Sequence, residues 1–257
     1  MKRVKYWAVV EERRLTALHE RLPEWFTREG RPLPWRATRD PYAVVVSEIL
    51  LHQTTVATVA PVYERFLSRF PTVADLAAAP LADVKAITDP LGYKVRGKWL
   101  HAIARTVMEE WDGRFPDTLE GLMTLPGVGR YTAGAVLAFA YGRPAGILDT
   151  NVARVMARLF RVGPEPKGAE RLHRLWALAE AVVPDNDAWR FNQALMDLGA
   201  TVCRARKPAC LTCPLGDICP SRGFTAEAAA SNDPDGVMFW ERPKTKRCRK
   251  AADGPEA

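Results

Sequence analysis

Residues 125–136 read LPGVGRYTAGAV. Gly127 and Gly129, two residues apart, let the backbone turn tightly and come close to a ligand. The small and apolar residues from Tyr131 onward then continue as a helix. Such a turn delivers its amides to a helix N-terminus, where they suit an anion such as a phosphate. A plain turn between two helices has the same outline. Outward from this stretch the pattern stays helical. Residues 42–52 (YAVVVSEILLH), 55–69, 94–112, 131–141, 151–161, 170–182 and 187–202 read as helices. Trp99, Ile103, Val107 and Trp111 recur every four residues, with Leu100, Ala104 and Met108 beside them, as one amphipathic stripe. Asp117-Thr118-Leu119-Glu120 has the form of a capping box. Prolines and glycines separate the segments. No stretch alternates convincingly as a strand, so the expected core is all-α.

The chain has 257 residues, 47% hydrophobic and 26% charged, which fits an ordinary globular protein with one or two domains. No apolar run approaches the roughly 20 residues of a membrane span. The basic start Met1-Lys2-Arg3-Val4-Lys5 is followed by an apolar run from Trp7 to Val10, too short for a secretory segment, and then by Glu11-Glu12. An intracellular, cytoplasmic location is expected. The net charge of +7 fits a polyanionic partner, nucleic acid ahead of membrane. From about residue 222 the composition turns to Ala, Ser, Asp, Gly and Pro, then RPKTKRCRK at 242–250; disorder is expected there.

Of five cysteines, Cys203, Cys210, Cys213 and Cys219 crowd into 17 residues as C-x6-C-x2-C-x5-C. Crowding in an intracellular chain points to metal rather than disulfides. Four thiolates close either a zinc site or a 4Fe–4S cluster. The uneven spacing suits a loop wrapped round a cluster, and Arg204, Arg206 and Lys207 add positive charge among the ligands. The remaining cysteine, Cys248, stands alone in the basic tail and is read as ligating nothing.

Two carboxylates stand out. Glu48 interrupts VVVSEILL, and its helical neighbours Val44, Val45, Leu51 and His52 leave it in mainly apolar surroundings. Desolvation there raises a carboxyl pKa and keeps a proton available near neutrality. Asp149 lies in ILDTNV, just before a helix. An N-cap explains it, and a helix N-terminus also favours a charged aspartate. An acid and a carboxylate across one cleft suit cleavage of a glycosidic bond through an oxocarbenium-like state.

Taken together, LPWRATRDPY (33–42), SEILLHQT (47–54), LGYKVRGKWL (91–100), LPGVGRYTAGAV, ILDTNVARV (147–155), RFNQALMDLGATVC (190–203) and the cysteine spacing form an ordered set. In these the chain resembles the helix-hairpin-helix DNA glycosylases of the endonuclease III superfamily, over about residues 8–222. Among them it is most similar to the adenine-specific and thymine–guanine mismatch branch. The resemblance implies two helical domains flanking a DNA-binding cleft: a six-helix barrel with the hairpin over 34–144, and an iron–sulfur cluster domain from 6–33 and 145–222. The remaining 223–257 is the disordered basic tail. It implies base flipping, a 4Fe–4S cluster on the four cysteines, and a monomer acting on double-stranded DNA with a mismatch or lesion, with a nucleoid-associated location and no membrane.

Residue by residue, the resemblance makes Glu48 the acid that protonates the departing base. It makes Asp149 the stabiliser of the sugar cation, with Asn151 beside it, although Asn151 serves equally as helix capping. Gln53 and Tyr93 match positions that wedge into the stack. His52 is placed to contact the opposite base or to cap the cleft. Leu125, Gly127, Val128 and Gly129 match the DNA-binding hairpin; apart from the resemblance, the basic residues of the cysteine loop, Arg204, Arg206 and Lys207, are expected to approach phosphates. Tyr131 takes the position where endonuclease III-like enzymes carry a lysine that forms a Schiff base with the sugar. Tyrosine cannot, so a monofunctional glycosylase is expected, whether Tyr131 is catalytic or simply packs.

The target base is less fixed. LGY, TAGAV and FNQALMDLGA favour adenine opposite guanine or 8-oxoguanine. His52 where Gln is usual, Lys94 where a second tyrosine is usual, and a segment after Cys219 too short and polar for a further 8-oxoguanine-reading domain weaken that assignment. Thymine or uracil opposite guanine is the alternative, since single-domain thymine–guanine glycosylases also end shortly after the cluster and carry a tyrosine at the Tyr131 position. Outside enzymes, the alternatives are an iron–sulfur redox sensor that binds DNA and a zinc-stapled helical module.

Overall fold

A computed structural model describes residues 6–163, 168–223 and 237–241. It is mostly helical. Strand β1 (Tyr6–Val10) leads into α1 (Glu12–Glu29), followed by α2 (Pro41–Leu50), α3 (Val56–Arg69), α4 (Val73–Ala78), α5 (Leu81–Thr88), α6 (Val95–Glu110), α7 (Leu119–Leu122) and α8 (Arg130–Phe139). Then come α9 (Thr150–Leu159), α10 (Ala169–Val182), α11 (Ala188–Asp197) and β2 (Val237–Glu241). Short polar side chains start many of the helices. Asp40, Thr55, Thr72, Asp149 and Asp187 each accept a hydrogen bond from a first-turn amide.

Helix α2 is apolar on every side, and every residue from Tyr42 to Leu50 is buried. It packs on α3, α6 and α8, while α4 and α5 pack on α6 and α7 on α8. A second group forms around α11, which packs on α1, α8 and α9; α9 also meets α10, and α10 carries β1. One continuous apolar core runs through both groups. The chain therefore puts Glu48 (α2) and Tyr131 (α8) in the first group, close to the start of α9 in the second.

Five sequence expectations change. Strands do form: β1 and β2 pair antiparallel, Tyr6 opposite Glu241 and Val10 opposite Val237. Hence residues 237–241 are an ordered exception to the disorder expected over 223–257, because Val237 and Phe239 have apolar surface to pack inward. The other tail residues, Cys248 among them, lie outside the described residues. The capping box at 117–120 is absent: Thr118 is the N-cap, accepting from Gly121 N, and Asp117 instead pairs with Arg143. The α6 stripe is rotated, with Arg96, Gly97, Leu100, Ile103, Ala104 and Val107 buried and Met108 exposed. The helix expected over 187–202 is α-helical only to Asp197 and ends in a π turn over Leu198–Val202. Among the described residues no helix is long and apolar enough to cross a membrane.

Candidate active site and cysteine loop

Glu48 sits in the middle of α2, buried at 5% exposure, contrary to a solvent-facing helical glutamate. Burial raises its pKa to about 7; a hydrogen bond from Tyr131 opposes the shift and the charge of Asp149 adds to it. Tyr131, in the first turn of α8, keeps its hydroxyl proton, because burial and then the nearby Glu48 and Asp149 charges raise its pKa well above the usual phenol value. The same hydroxyl lies 3.6 Å from Met196 Sδ.

Asp149 is the N-cap of α9: Val152 N donates to its Oδ1 at 2.7 Å, and Asn151 Nδ2 donates to its Oδ2 at 2.9 Å. Asp149 is thus the cap of α9 and at the same time a residue of the pocket wall. Asn151 is held in turn by Arg154, whose Nη2 donates to Asn151 Oδ1 (2.7 Å) and to Gly199 O (2.6 Å). Arg154 Nε reaches Cys203 O at 2.8 Å, so the carboxylate and the cysteine loop share one hydrogen-bonded chain. Gly199 makes this approach possible: a Cβ there would lie 2.7 Å from Asn151 Cβ and 2.9 Å from its carbonyl.

Glu48, His52, Gln53, Tyr131, Asp149 and Asn151 all line one pocket of about 750 Å³. Sequence reasoning missed Arg31, Trp35, Arg36 and Gln193 in its wall. Asp197, fully buried, holds both arginines: Arg31 Nη2 at 2.6 Å and Arg36 Nη2 at 2.8 Å. Burial pushes the Asp197 pKa up, but the hydrogen bonds from Arg36 and Arg31 outweigh it and keep it below the usual carboxylate value. Arg36 Nε donates to Gln193 Oε1 at 2.7 Å, which leaves the Gln193 amide NH2 to offer as a donor. The signal was present as Gln193 and Asp197 four residues apart on one helix, two buried polar groups on one face.

The remaining expected contact residues lie outside the pocket wall. Leu125 and Val128 are buried, so their side chains are core and the hairpin offers backbone rather than apolar side chains outward. Gly127 has φ +74° and lies against Trp99; Gly129 caps α8 with open space where a Cβ would point. Tyr93 is half-buried, edge-to-face with Trp99. In the pocket wall itself, burial and then the Arg96 charge lower the His52 pKa, so its ring is neutral at neutral pH. Arg204 is exposed, bonded to Lys207 O at 3.3 Å.

All four cysteines, each half-buried, line a second, small pocket with no acidic side chain in its wall. Burial, eased by a backbone hydrogen bond and reinforced by the other three cysteines, pushes the Cys213 thiol up to about 11. Thiolates gathered this way require a cationic centre. Arg158 suits an anionic cluster: its Nη1 lies 3.4 Å from Cys203 Sγ, and it also donates to Arg204 O and Ala205 O. Gly216 permits the tight turn, since a Cβ there would meet Cys210 O at 2.9 Å. The donor set fits an iron–sulfur group.

A glycine hairpin opening a buried helix, a buried acid sharing a pocket with an aspartate, and a thiol-lined loop on the same helical frame define a class: helix-hairpin-helix proteins of DNA base repair. Residues 46–181 match the HhH-GPD superfamily base excision DNA repair proteins, and the chain belongs to that superfamily. Residues 203–219 match the iron–sulfur binding domain of endonuclease III. The chain is 42% identical to the adenine DNA glycosylase of Homo sapiens, over 86% of this chain and 43% of that protein. It is 41% identical to the thymine-DNA glycosylase of Aeropyrum pernix, over 82% of this chain and 96% of that protein. The chain thus spans under half the length of the human relative. Among solved structures it is similar to a thermostable thymine-DNA glycosylase, with TM-score 0.76 and 31% identity, covering 83% of this chain and 98% of that one. It is also similar to a trapped endonuclease III–DNA covalent intermediate, with TM-score 0.70 and 25% identity, covering 84% and 98%.

Proposed function

We propose that the protein is a monofunctional DNA glycosylase that removes a mispaired base from double-stranded DNA, with adenine opposite guanine or 8-oxoguanine as the favoured target. The observation that carries this reading is that the buried Glu48 and the α9 cap Asp149 line one pocket, where burial raises the Glu48 pKa to about 7. The flipped nucleotide enters that pocket. Glu48 passes its proton to the departing base, and the electrons of the N-glycosidic bond leave with the base. Asp149 stabilises the sugar cation and takes the proton of the water that adds to it, leaving an abasic site. Tyr131 carries no amine to form a Schiff base with the sugar, so the abasic site is left in an unbroken strand.

In the same reading the six-helix unit over 34–144 and the cluster unit of 6–33 with 145–222 flank the DNA. Gln53 and Tyr93 enter the stack, the hairpin amides and Arg204 meet phosphates, and Cys203, Cys210, Cys213 and Cys219 hold the 4Fe–4S cluster. Bound there, the cluster ties the 203–219 loop at four points. The protein acts as a monomer on nucleoid DNA.

Thymine or uracil opposite guanine is the second reading, favoured by the likeness to a solved thymine-DNA glycosylase at TM-score 0.76. A single-turnover assay on duplexes holding A opposite 8-oxoguanine, A opposite G, T opposite G and U opposite G decides between them, with alkali used to reveal abasic sites. Preferential adenine loss supports the first reading, and thymine or uracil loss the second. Strand breaks without alkali contradict the monofunctional assignment. Iron and acid-labile sulfide in the purified protein support the cluster; zinc alone contradicts it.

A further inference from the structure

Helix α6 opens on a fully buried guanidinium. Arg96 is at 0% exposure, and its bonds go to main-chain carbonyls: Nη1 to Leu91 O and Tyr93 O, each at 3.3 Å, and Nη2 to His52 O. The guanidinium also faces the Tyr93 ring at 5.5 Å, and its Nε is left without a partner. A buried cation held without a carboxylate is costly. What it gains here is a link between two loops, 51–55 after α2 and 91–94 before α6.

Both loops are conformationally demanding. Gln53 has φ +52°, the left-handed region that a residue with a Cβ enters only when its surroundings impose it, and the preceding carbonyl is the one Arg96 holds. Tyr93 follows Gly92 at φ +93°. One turn further along α6, Trp99 is edge-to-face with His52 (5.8 Å between centroids) and Tyr93 (5.7 Å). Its indole also seats the hairpin: a Cβ on Gly127 would lie 2.5 Å from Trp99 Cδ2. One helical turn therefore touches the Gln53 loop, the Tyr93 loop and the hairpin.

We propose that Arg96 and Trp99 are positioning residues for opening the base stack: they register the Gln53 and Tyr93 loops against the hairpin, so that backbone grip and wedge act as one rigid unit. This rests on the glycosylase reading above. It assigns the pair to base opening and not to bond cleavage.

The test uses the full chain and a duplex with 2-aminopurine beside the target base, whose emission rises when the stack opens. Arg96→Met and Trp99→Leu are expected to bind within about threefold of wild type by anisotropy. Their emission rise should be largely lost, and single-turnover excision should slow at least tenfold, about 1.4 kcal/mol. On a target base placed opposite an abasic site, already unstacked, their rate should return to near that of wild type. Trp99→Phe, which keeps a ring edge, should restore emission. Thermal unfolding of each variant is recorded alongside; if Arg96→Met does not fold, the Trp99 pair carries the comparison. Equal slowing on both substrates, or an unchanged emission rise, overturns the proposal. Failure of the glycosylase reading looks different: wild type then excises nothing, while the emission of wild type against variants still decides whether these residues open the stack.

Discussion

Tyr131 and Glu48 line one pocket and shift each other's titration: the Tyr131 hydroxyl lowers the Glu48 pKa, and the Glu48 charge raises that of Tyr131. The phenol favours the carboxylate form of Glu48. Burial, aided by the Asp149 charge, favours the acid and wins, which leaves Glu48 poised at about 7. A group that must give a proton to a leaving base is most useful with that value.

The excision rate should therefore fall as pH rises through about 7, where Glu48 loses its proton. Tyr131→Phe removes the bond that lowers the Glu48 pKa, so the alkaline limb should move to higher pH. Single-turnover rates of both proteins across neutral pH check the sign. An alkaline limb that moves down in the variant would contradict it.

Glu48 also sets a stability profile. Its folded pKa, about 7, lies above its ordinary value of 4.5. Its contribution is thus fully present below about pH 4.5 and lost as pH rises through about 7. Glu48→Gln should gain on wild type with rising pH, by roughly 3 kcal/mol once both steps are passed. Urea unfolding on either side of neutrality measures the difference.

Asp197 behaves in the opposite sense. Its folded pKa is held below the ordinary value, so its contribution is present above the unfolded pKa and lost as pH falls through the folded one. Asp197→Asn leaves Arg31 and Arg36 without their carboxylate and should cost about 3–5 kcal/mol near neutrality. The loss should shrink in acid. Because Arg36 also orients Gln193, the variant should slow excision of the preferred base more than it weakens DNA binding.

Gly199→Ala should cost about 1–3 kcal/mol, because its Cβ has backbone on one side and cannot be accommodated by a rotamer change. The atoms it displaces belong to Asn151, which bonds Asp149. Excision should fall by more than the thermal shift explains, and a variant with full activity would show that the Asp149–Asn151 geometry is not limiting.

Much of this was legible in the sequence because it depends on local pattern. Glu48 was readable from its apolar helical neighbours, Asp149 from its place before α9, and the cysteine loop from its spacing. The hairpin was readable from two glycines, although Leu125 and Val128 turned inward, which local pattern does not decide. Strand β2 was not readable: five residues in a polar tail become a strand only because β1 offers an edge some 230 positions earlier. Helices α4 and α5 are too short to show a periodic stripe; α4 carries a Thr72–Asp75 capping box, while α5 follows Pro80 with no side-chain cap at all. The Arg31–Asp197–Arg36 group joins residues more than 150 positions apart: the polar pair Gln193 and Asp197 marks one half of it in local sequence, but nothing local says that Arg31 and Arg36 are the partners.

The most direct test of the central claim is the single-turnover excision rate of Glu48→Gln and Asp149→Asn beside wild type, on the duplex wild type prefers, with binding affinity measured on the same DNA. The account predicts that each substitution lowers the rate by at least about a hundredfold while affinity stays within about threefold. Excision at the wild-type rate in either variant, with binding intact, would contradict it.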